Sequence, residues 1–300
     1  MRLPIRQSPT TGYICSSSHH HSPFSPEPES QSALQRLLAD KITKYAAMDE
    51  LRLLLATGAQ PDGVVTQGLT PLHYACHRDY FAAAKLLLVR GAKVNAVDDA
   101  GYSALHLCAE RGNYRLIQLL LEYSARVRWI EPEDEGKEFP LRQSVDEPLR
   151  MAIRHGHYEC TRLLLESGAD PNARYFDGPE LVQLSPADTN FLRLLLSHGA
   201  EVNVTARDGL TPLMKACRLR DKGVRAVQIL LDHGADVNAQ AVKRDYRTAL
   251  HFAVERGSLD LIGFLIKVRC TLLQIHHPII CFRTERKSTC LPTTAALSPH

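Results

Sequence analysis

Apolar residues recur at helical spacing in short paired blocks along most of the chain. In one pair, residues 72–76 place leucine, alanine and cysteine on one helical face, and residues 84–88 form a second apolar block after a polar break. Gly91 follows the second block, where a glycine ends a helix because it adopts left-handed backbone without a Cβ penalty. The pattern predicts a unit of helix, turn and helix.

The start of the unit is a box of six residues that returns along the chain. Residues 68–73 (Gly-Leu-Thr-Pro-Leu-His) recur at 101–106, with Leu72 and Leu105 33 residues apart, and again at 209–214 and 247–251. A second signature, Gly-Ala followed by Val-Asn or Pro-Asn, closes the units at 91–95, 168–172, 199–203 and 234–238. A hydroxyl caps the free amides of a helix and proline fits its first turn, which explains the pairs Thr70-Pro71 and Thr211-Pro212.

Two linked signatures at one period closely resemble the ankyrin-repeat family over about residues 49–270. The resemblance implies an all-α solenoid of paired antiparallel helices with β-turn fingers between the units. It also implies that the box histidine supports hydrogen bonds within and between repeats. His73, His106 and His251 occupy this place in three separate units, so we interpret them as structural residues.

The period divides the chain into three parts. Residues 1–30 are rich in Ser, Pro, Thr and His and are predicted to be disordered. Residues 31–270 form the repeat domain, with an N-terminal helical cap, about six repeats and an acidic insert at 129–146. In the fourth repeat Pro186 is expected to interrupt the first helix, and the last repeat is truncated. Residues 271–300 lack the repeat pattern and are predicted to be a poorly ordered tail.

Composition and charge exclude several classes of protein. The chain is 44% hydrophobic and 23% charged, and its formal charge of +3 predicts no strong field for nucleic acid. No segment approaches the roughly 18 to 20 apolar residues of a membrane-spanning helix, and the first residues lack the apolar centre of a secretory signal. We therefore expect a cytoplasmic protein, and the same features also allow a nuclear location.

The eight cysteines do not form metal or redox motifs. Cys76, Cys108 and Cys217 recur at one point of three repeats, each beside an alanine, as expected for a slot that packs small residues. No Ser-His-Asp order, glycine-rich phosphate loop or paired acid site agrees with the repeat register. The sequence thus predicts no catalytic residue, no metal site and no cofactor.

Candidate binding residues lie at the ends of the first helices. A broken basic stripe of arginines lies five or six residues beyond the box leucines. Its members are Arg78, Arg111, Arg154, Arg218 and Arg256. Cations at a helix C-terminus also favour the helix dipole, so a solvated helix end is the alternative interpretation. A functional stripe would bind an acidic segment. Trp129, at the start of the acidic insert, is a further candidate because tryptophan often anchors interfaces.

The predicted function is the recruitment of a partner protein by a monomeric array, through the concave face and turn tips that the resemblance implies. The array is similar to the substrate-recognition half of ankyrin-repeat adaptors that carry a C-terminal SOCS box for a cullin ubiquitin ligase. Cys290-Leu291-Pro292 is too little to identify such a box. A cytoskeletal or signalling scaffold and a transcriptional regulator that acts through protein contacts remain alternatives.

Overall fold

The computed structural model describes residues 28–128, 146–175, 178–219 and 223–276. Helix pairs follow one another through these ranges, and most first helices pack both on their own second helix and on the first helix of a neighbouring pair. This arrangement confirms the predicted helical solenoid. The helices are α1 (Pro28–Thr43), α2 (Met48–Ala56), α3 (Pro71–His77), α4 (Phe81–Val89), α5 (Ala104–Arg111), α6 (Tyr114–Glu122), α7 (Pro148–Arg154), α8 (Tyr158–Glu166), α9 (Glu180–Gln183), α10 (Thr189–Ser197), α11 (Pro212–Cys217), α12 (Val224–Asp232), α13 (Ala249–Arg256) and α14 (Leu259–His276).

Each regular first helix begins at the box, and in α3 the box histidine explains why. The backbone N–H of Thr70 donates to Nδ1 of His73 at 3.1 Å, so Nδ1 carries no proton. The proton of the neutral ring is therefore on Nε2, which donates to the carbonyl oxygen of Tyr102 in the next unit at 3.2 Å. Burial lowers the pKa of His73, which keeps the ring neutral. One side chain thus caps its own helix and binds the following repeat.

The core is a continuous stack of small and aliphatic side chains between neighbouring units. Cys76, Cys108 and Cys217 are fully buried, as the packing slot predicts, and Cys160 on α8 is buried as well. Burial raises the pKa of Cys160 to about 11 and that of Cys217 to about 12. These side chains are therefore protonated thiols that pack as small apolar groups.

Asparagines of the second signature join neighbouring fingers. Asn172 donates from Nδ2 to the carbonyl oxygen of Gly199 at 2.9 Å and accepts from the backbone N–H of Glu201 at 2.7 Å. Asn95 and Asn203 make the same pair of bonds to the units that follow them. A carboxamide has one acceptor and two donor positions, so it satisfies two backbone groups that a turn would otherwise leave open.

The fourth repeat departs from the others. Its first helix, α9, has only four residues, and the chain leaves helical geometry before Pro186, as predicted from that proline. It is preceded by a short antiparallel hairpin of strands β1 (Arg174–Tyr175) and β2 (Gly178–Pro179). The second helix of this repeat, α10, keeps the usual nine residues. The distortion is thus confined to the first-helix side.

Both ends of the repeat domain differ from the boundaries expected at 31 and 270. Helix α1 begins at Pro28, because proline suits the first position of a helix. Helix α14 runs on to His276 and is 18 residues long, since no proline occurs between Gly263 and Pro278 to stop it. The rest of the 1–30 segment, residues 129–145 of the acidic insert and residues 277–300 lie outside the described residues. Over the ranges described, no helix meets the length and apolarity of a membrane span.

Candidate functional site

The first helices and the fingers form one face of the array, which we call the first-helix face. Its basic stripe consists of arginines at the last helical residue or the C-cap of five first helices, and all of them are exposed. Because α3, α5 and α7 pack side by side, as do α11 and α13, the arginines follow one another along the edge of this face. The members of the basic stripe are Arg78, Arg111, Arg154, Arg218 and Arg256.

Arg78 joins the N-terminal cap to the first repeat. Its Nε donates to the carbonyl oxygen of Thr43 at 3.1 Å, and its guanidinium lies 5.1 Å from the centre of the Tyr45 ring. The Tyr45 hydroxyl in turn donates to the carbonyl oxygen of Arg78. A guanidinium stacked on an aromatic ring contributes about 0.5–1 kcal/mol at an exposed site. Arg78 therefore has a packing role in addition to its position in the stripe.

Arg111 contacts an imidazole of the preceding unit. Its Nη2 lies 2.9 Å from Nε2 of His77, the last residue of α3. Burial, Arg111 and Arg78 all lower the pKa of His77, whereas the carboxylate of Glu110 raises it. Burial is the largest of these causes, and the two arginines add positive charge at this point of the first-helix face.

The remaining stripe residues differ in their contacts. Arg154 donates from Nη1 to Oδ2 of Asp146 at 2.7 Å, so the carboxylate of the last residue of the insert already neutralises part of its charge. Arg218 lies next to Lys215, whose ammonium donates to the carbonyl oxygen of Val182 at 2.9 Å. Burial is the main cause that lowers the pKa of Lys215, with a smaller contribution from Arg218. Arg256 is exposed at the end of α13.

A buried ionic cluster links the third and fourth repeats, and it was not predicted from the sequence. Arg150 occupies the box-histidine position, and its side chain is only 3% exposed. Its Nε lies 3.2 Å from Oε2 of Glu180, and its guanidinium carbon lies 4.1 Å from the centre of the Tyr175 ring. Burial beside Glu147 and Glu180 raises the pKa of Tyr175. The replacement of the box by Glu-Pro-Leu-Arg was the signal that could have revealed this cluster.

The three box histidines lie in two kinds of environment. His73 and His106 are buried, with 1% and 0% exposure, whereas His251 is exposed. Each Nδ1 accepts the backbone N–H of its own N-cap residue, from Thr70, Ser103 and Thr248 respectively. Burial lowers the pKa of His106 to about 3.

No group of three potential metal ligands occurs among the described residues. Thr211 caps α11 by accepting the backbone N–H of Met214 at 3.3 Å, with Pro212 in the first turn, and Pro71 has the same place in α3. Trp129 lies outside the residues that the structure describes, as does the acidic insert that follows it.

Relatives match parts of the chain. Mouse Rabankyrin-5 is 34% identical over 128 residues, which is 42% of this chain and 11% of the relative. Mouse Ankyrin repeat and SOCS box protein 16 is 37% identical over 67 residues, 22% of this chain and 15% of the relative. The chain therefore spans a small part of the length of these relatives. Human Cyclin-dependent kinase 4 inhibitor B is 34% identical over 136 residues, 44% of this chain and 94% of the relative.

Solved structures and a family model agree on the fold. The ankyrin repeat domain of human ASB11 superposes with a TM-score of 0.55 at 24% identity, covering 79% of this chain and 96% of that domain. The ankyrin repeat domain of Bcl-3 gives 0.60 at 24% identity, covering 75% and 97%. The family model for ankyrin repeats, which spans three copies, matches residues 43–130, 100–175 and 183–274. The chain therefore belongs to the ankyrin-repeat family.

Proposed function

We propose that the chain recruits a partner protein by binding an acidic segment of that partner along the basic stripe. Ankyrin repeats are protein–protein interaction modules, and the proposal specifies the face and the charge. The observation that carries it is the recurrence of an exposed arginine at one end of five first helices. A partner with several carboxylates at matching intervals would contact several units at once.

Arg111 and Arg218 are the members of the stripe that best separate binding from packing. Arg78 is engaged with Thr43 and Tyr45, and Arg154 with Asp146, so changes at these two residues also affect the fold. Arg111 donates to an imidazole, which is a weaker acceptor than a carboxylate. A partner carboxylate can therefore replace that contact with a stronger one.

The test uses a fluorescent peptide of ten glutamates and fluorescence anisotropy at several salt concentrations. The double variant Arg111→Glu/Arg218→Glu should bind at least about tenfold more weakly, a loss of about 1.4 kcal/mol. Its affinity should also depend less on salt, because fewer charge pairs form. The matched control is Arg193→Glu/Arg225→Glu, which makes the same charge change at exposed positions of second helices α10 and α12. Equal weakening by both double variants, or by neither, would refute binding at the stripe.

A role in substrate recognition for a ubiquitin ligase is a second candidate. It is supported by the similarity to a SOCS box protein and to the ASB11 domain. Affinity purification from cells, with the full chain and with a chain ending at His276, tests it. Cullin and elongin that copurify only with the full chain would support an adaptor. Filament or membrane proteins instead would indicate a scaffold, and chromatin factors a transcriptional regulator.

We also propose that the array works as a monomer in the cytoplasm or nucleus. Four cysteines in the described ranges, Cys76, Cys108, Cys160 and Cys217, are buried free thiols, which supports a reducing compartment. Size-exclusion chromatography with light scattering and imaging of a tagged chain test the two statements separately. A stable dimer would contradict the first statement, and secretion of the chain would contradict the second.

A further inference from the structure

The contact between Arg111 and His77 constrains the protonation state of the histidine. A guanidinium has only N–H donors, so the Nε2 of His77 that lies 2.9 Å from Nη2 of Arg111 must accept with a lone pair. A protonated imidazole has a hydrogen on both nitrogens and offers no lone pair. The contact between the two units therefore exists only while His77 is neutral.

The surrounding charges act on His77 in opposite directions. Partial burial of the ring disfavours an imidazolium most, and Arg111, from α5, and Arg78, at the C-cap of α3, act in the same sense. Glu110 is the acidic group that favours it, and its effect is smaller than theirs. His77 itself is exposed enough for a partner to reach it. The ring thus lies at an accessible point where an additional negative charge would favour the imidazolium.

We propose that an acidic partner segment binds at this point of the stripe with uptake of a proton by His77. A partner carboxylate accepts from Arg111 in place of the imidazole, because charge-assisted bonds between guanidinium and carboxylate are the stronger ones. The released Nε2 then takes a proton from solvent, and the imidazolium becomes a further cation beside the same carboxylate. The proton balance is one proton taken up for each carboxylate bound at this point.

This inference rests on the proposed function and adds a pH dependence to it. When a complex holds a proton that the free protein lacks, affinity increases as pH falls through the range between the free and bound pKa values of the histidine. One linked proton gives at most about a tenfold change in affinity per pH unit. A partner held only by arginines would show no such linkage at this site, because arginine stays charged throughout.

The experiment is an NMR titration of the His77 ring in the free protein and in the protein saturated with the ten-glutamate peptide. We expect the pKa of His77 to lie below 6.5 in the free protein and to rise by about one unit or more with the peptide bound. In Arg111→Gln without peptide, the pKa of His77 should also rise, because one of its neighbouring charges is absent. Both measurements follow His77 itself and require no unfolding or loss of the ring.

Binding measured from about pH 8 to about pH 5.5 gives the second readout. The wild type should bind more tightly at the lower pH, and His77→Gln should show a smaller dependence. The control His233→Gln, at the C-cap of second helix α12, should keep the wild-type dependence. If the peptide binds while the pKa of His77 stays unchanged, the inference is overturned and the stripe proposal stands. If the peptide does not bind at any pH at low salt, the stripe proposal fails and the inference fails with it.

Discussion

Acid should destabilise the array through His106, a histidine that the fold keeps neutral. Its ring is 0% exposed, and Nδ1 accepts the backbone N–H of Ser103 at 3.0 Å. Burial lowers its pKa from 6.5 to about 3. Between these two values the unfolded chain binds a proton that the folded chain does not, so the free energy of unfolding decreases as pH falls. At pH 5 the lost stability from this residue is about 2 kcal/mol.

Urea unfolding followed by circular dichroism at pH 7 and pH 5 measures this loss. His106→Gln should be less stable than the wild type at pH 7, because the ring no longer fills its site. Its further loss between pH 7 and pH 5 should be smaller than that of the wild type by about 2 kcal/mol. Leu105→Ala is the matched control, since it removes a buried neighbour that does not titrate and costs about 2–5 kcal/mol at either pH. If His106→Gln and the wild type lose the same stability on acidification, the reasoning is wrong.

Three further predictions concern single contacts, and urea unfolding measures each of them. Arg150→Ala should lower the free energy of unfolding by about 3–5 kcal/mol, because the buried Glu180 carboxylate loses the Arg150 guanidinium. The double variant Arg150→Met/Glu180→Leu should be more stable than this single variant. Asn172→Ala should lower the free energy of unfolding by about 1–2 kcal/mol, because two hydrogen bonds to the next finger are lost. An unchanged free energy of unfolding would show that these bonds do not stabilise the array. Gly112→Ala should cost more than Gly91→Ala: both have positive φ, but only at Gly112 would the new Cβ collide with an imidazole of the next unit.

The repeat structure was predictable because its determinants are local and repeated. Thr70, Pro71 and His73 specify a helix start from within six residues, and the same chemistry recurs in other units. The small residues at Cys76 and its equivalents predicted the packing slot for the same reason. Even the short α9 followed from one proline, since the loss of a backbone donor is a property of that residue alone.

Contacts between units were less predictable, because they depend on how neighbouring repeats stack. Arg150 and Glu180 lie 30 residues apart, in two units where the box is replaced, and each alone looks like a solvated charge. Arg78 appeared in the sequence only as a member of the stripe, yet the structure gives it contacts to the N-terminal cap. A sequence pattern identifies which residues face outward, but it does not identify their partners across the stack.

The asparagine bonds between fingers also have a direction along the chain. In each case the side chain belongs to the earlier unit, and the backbone groups it binds belong to the later one, as for Asn95 with Ser124 and Asn203 with Asp236. During synthesis the earlier unit leaves the ribosome first, so its carboxamide is in place before the backbone that it binds. Assembly of the fingers can therefore proceed in the order of translation, because each later unit brings its backbone groups to side chains that are already synthesised.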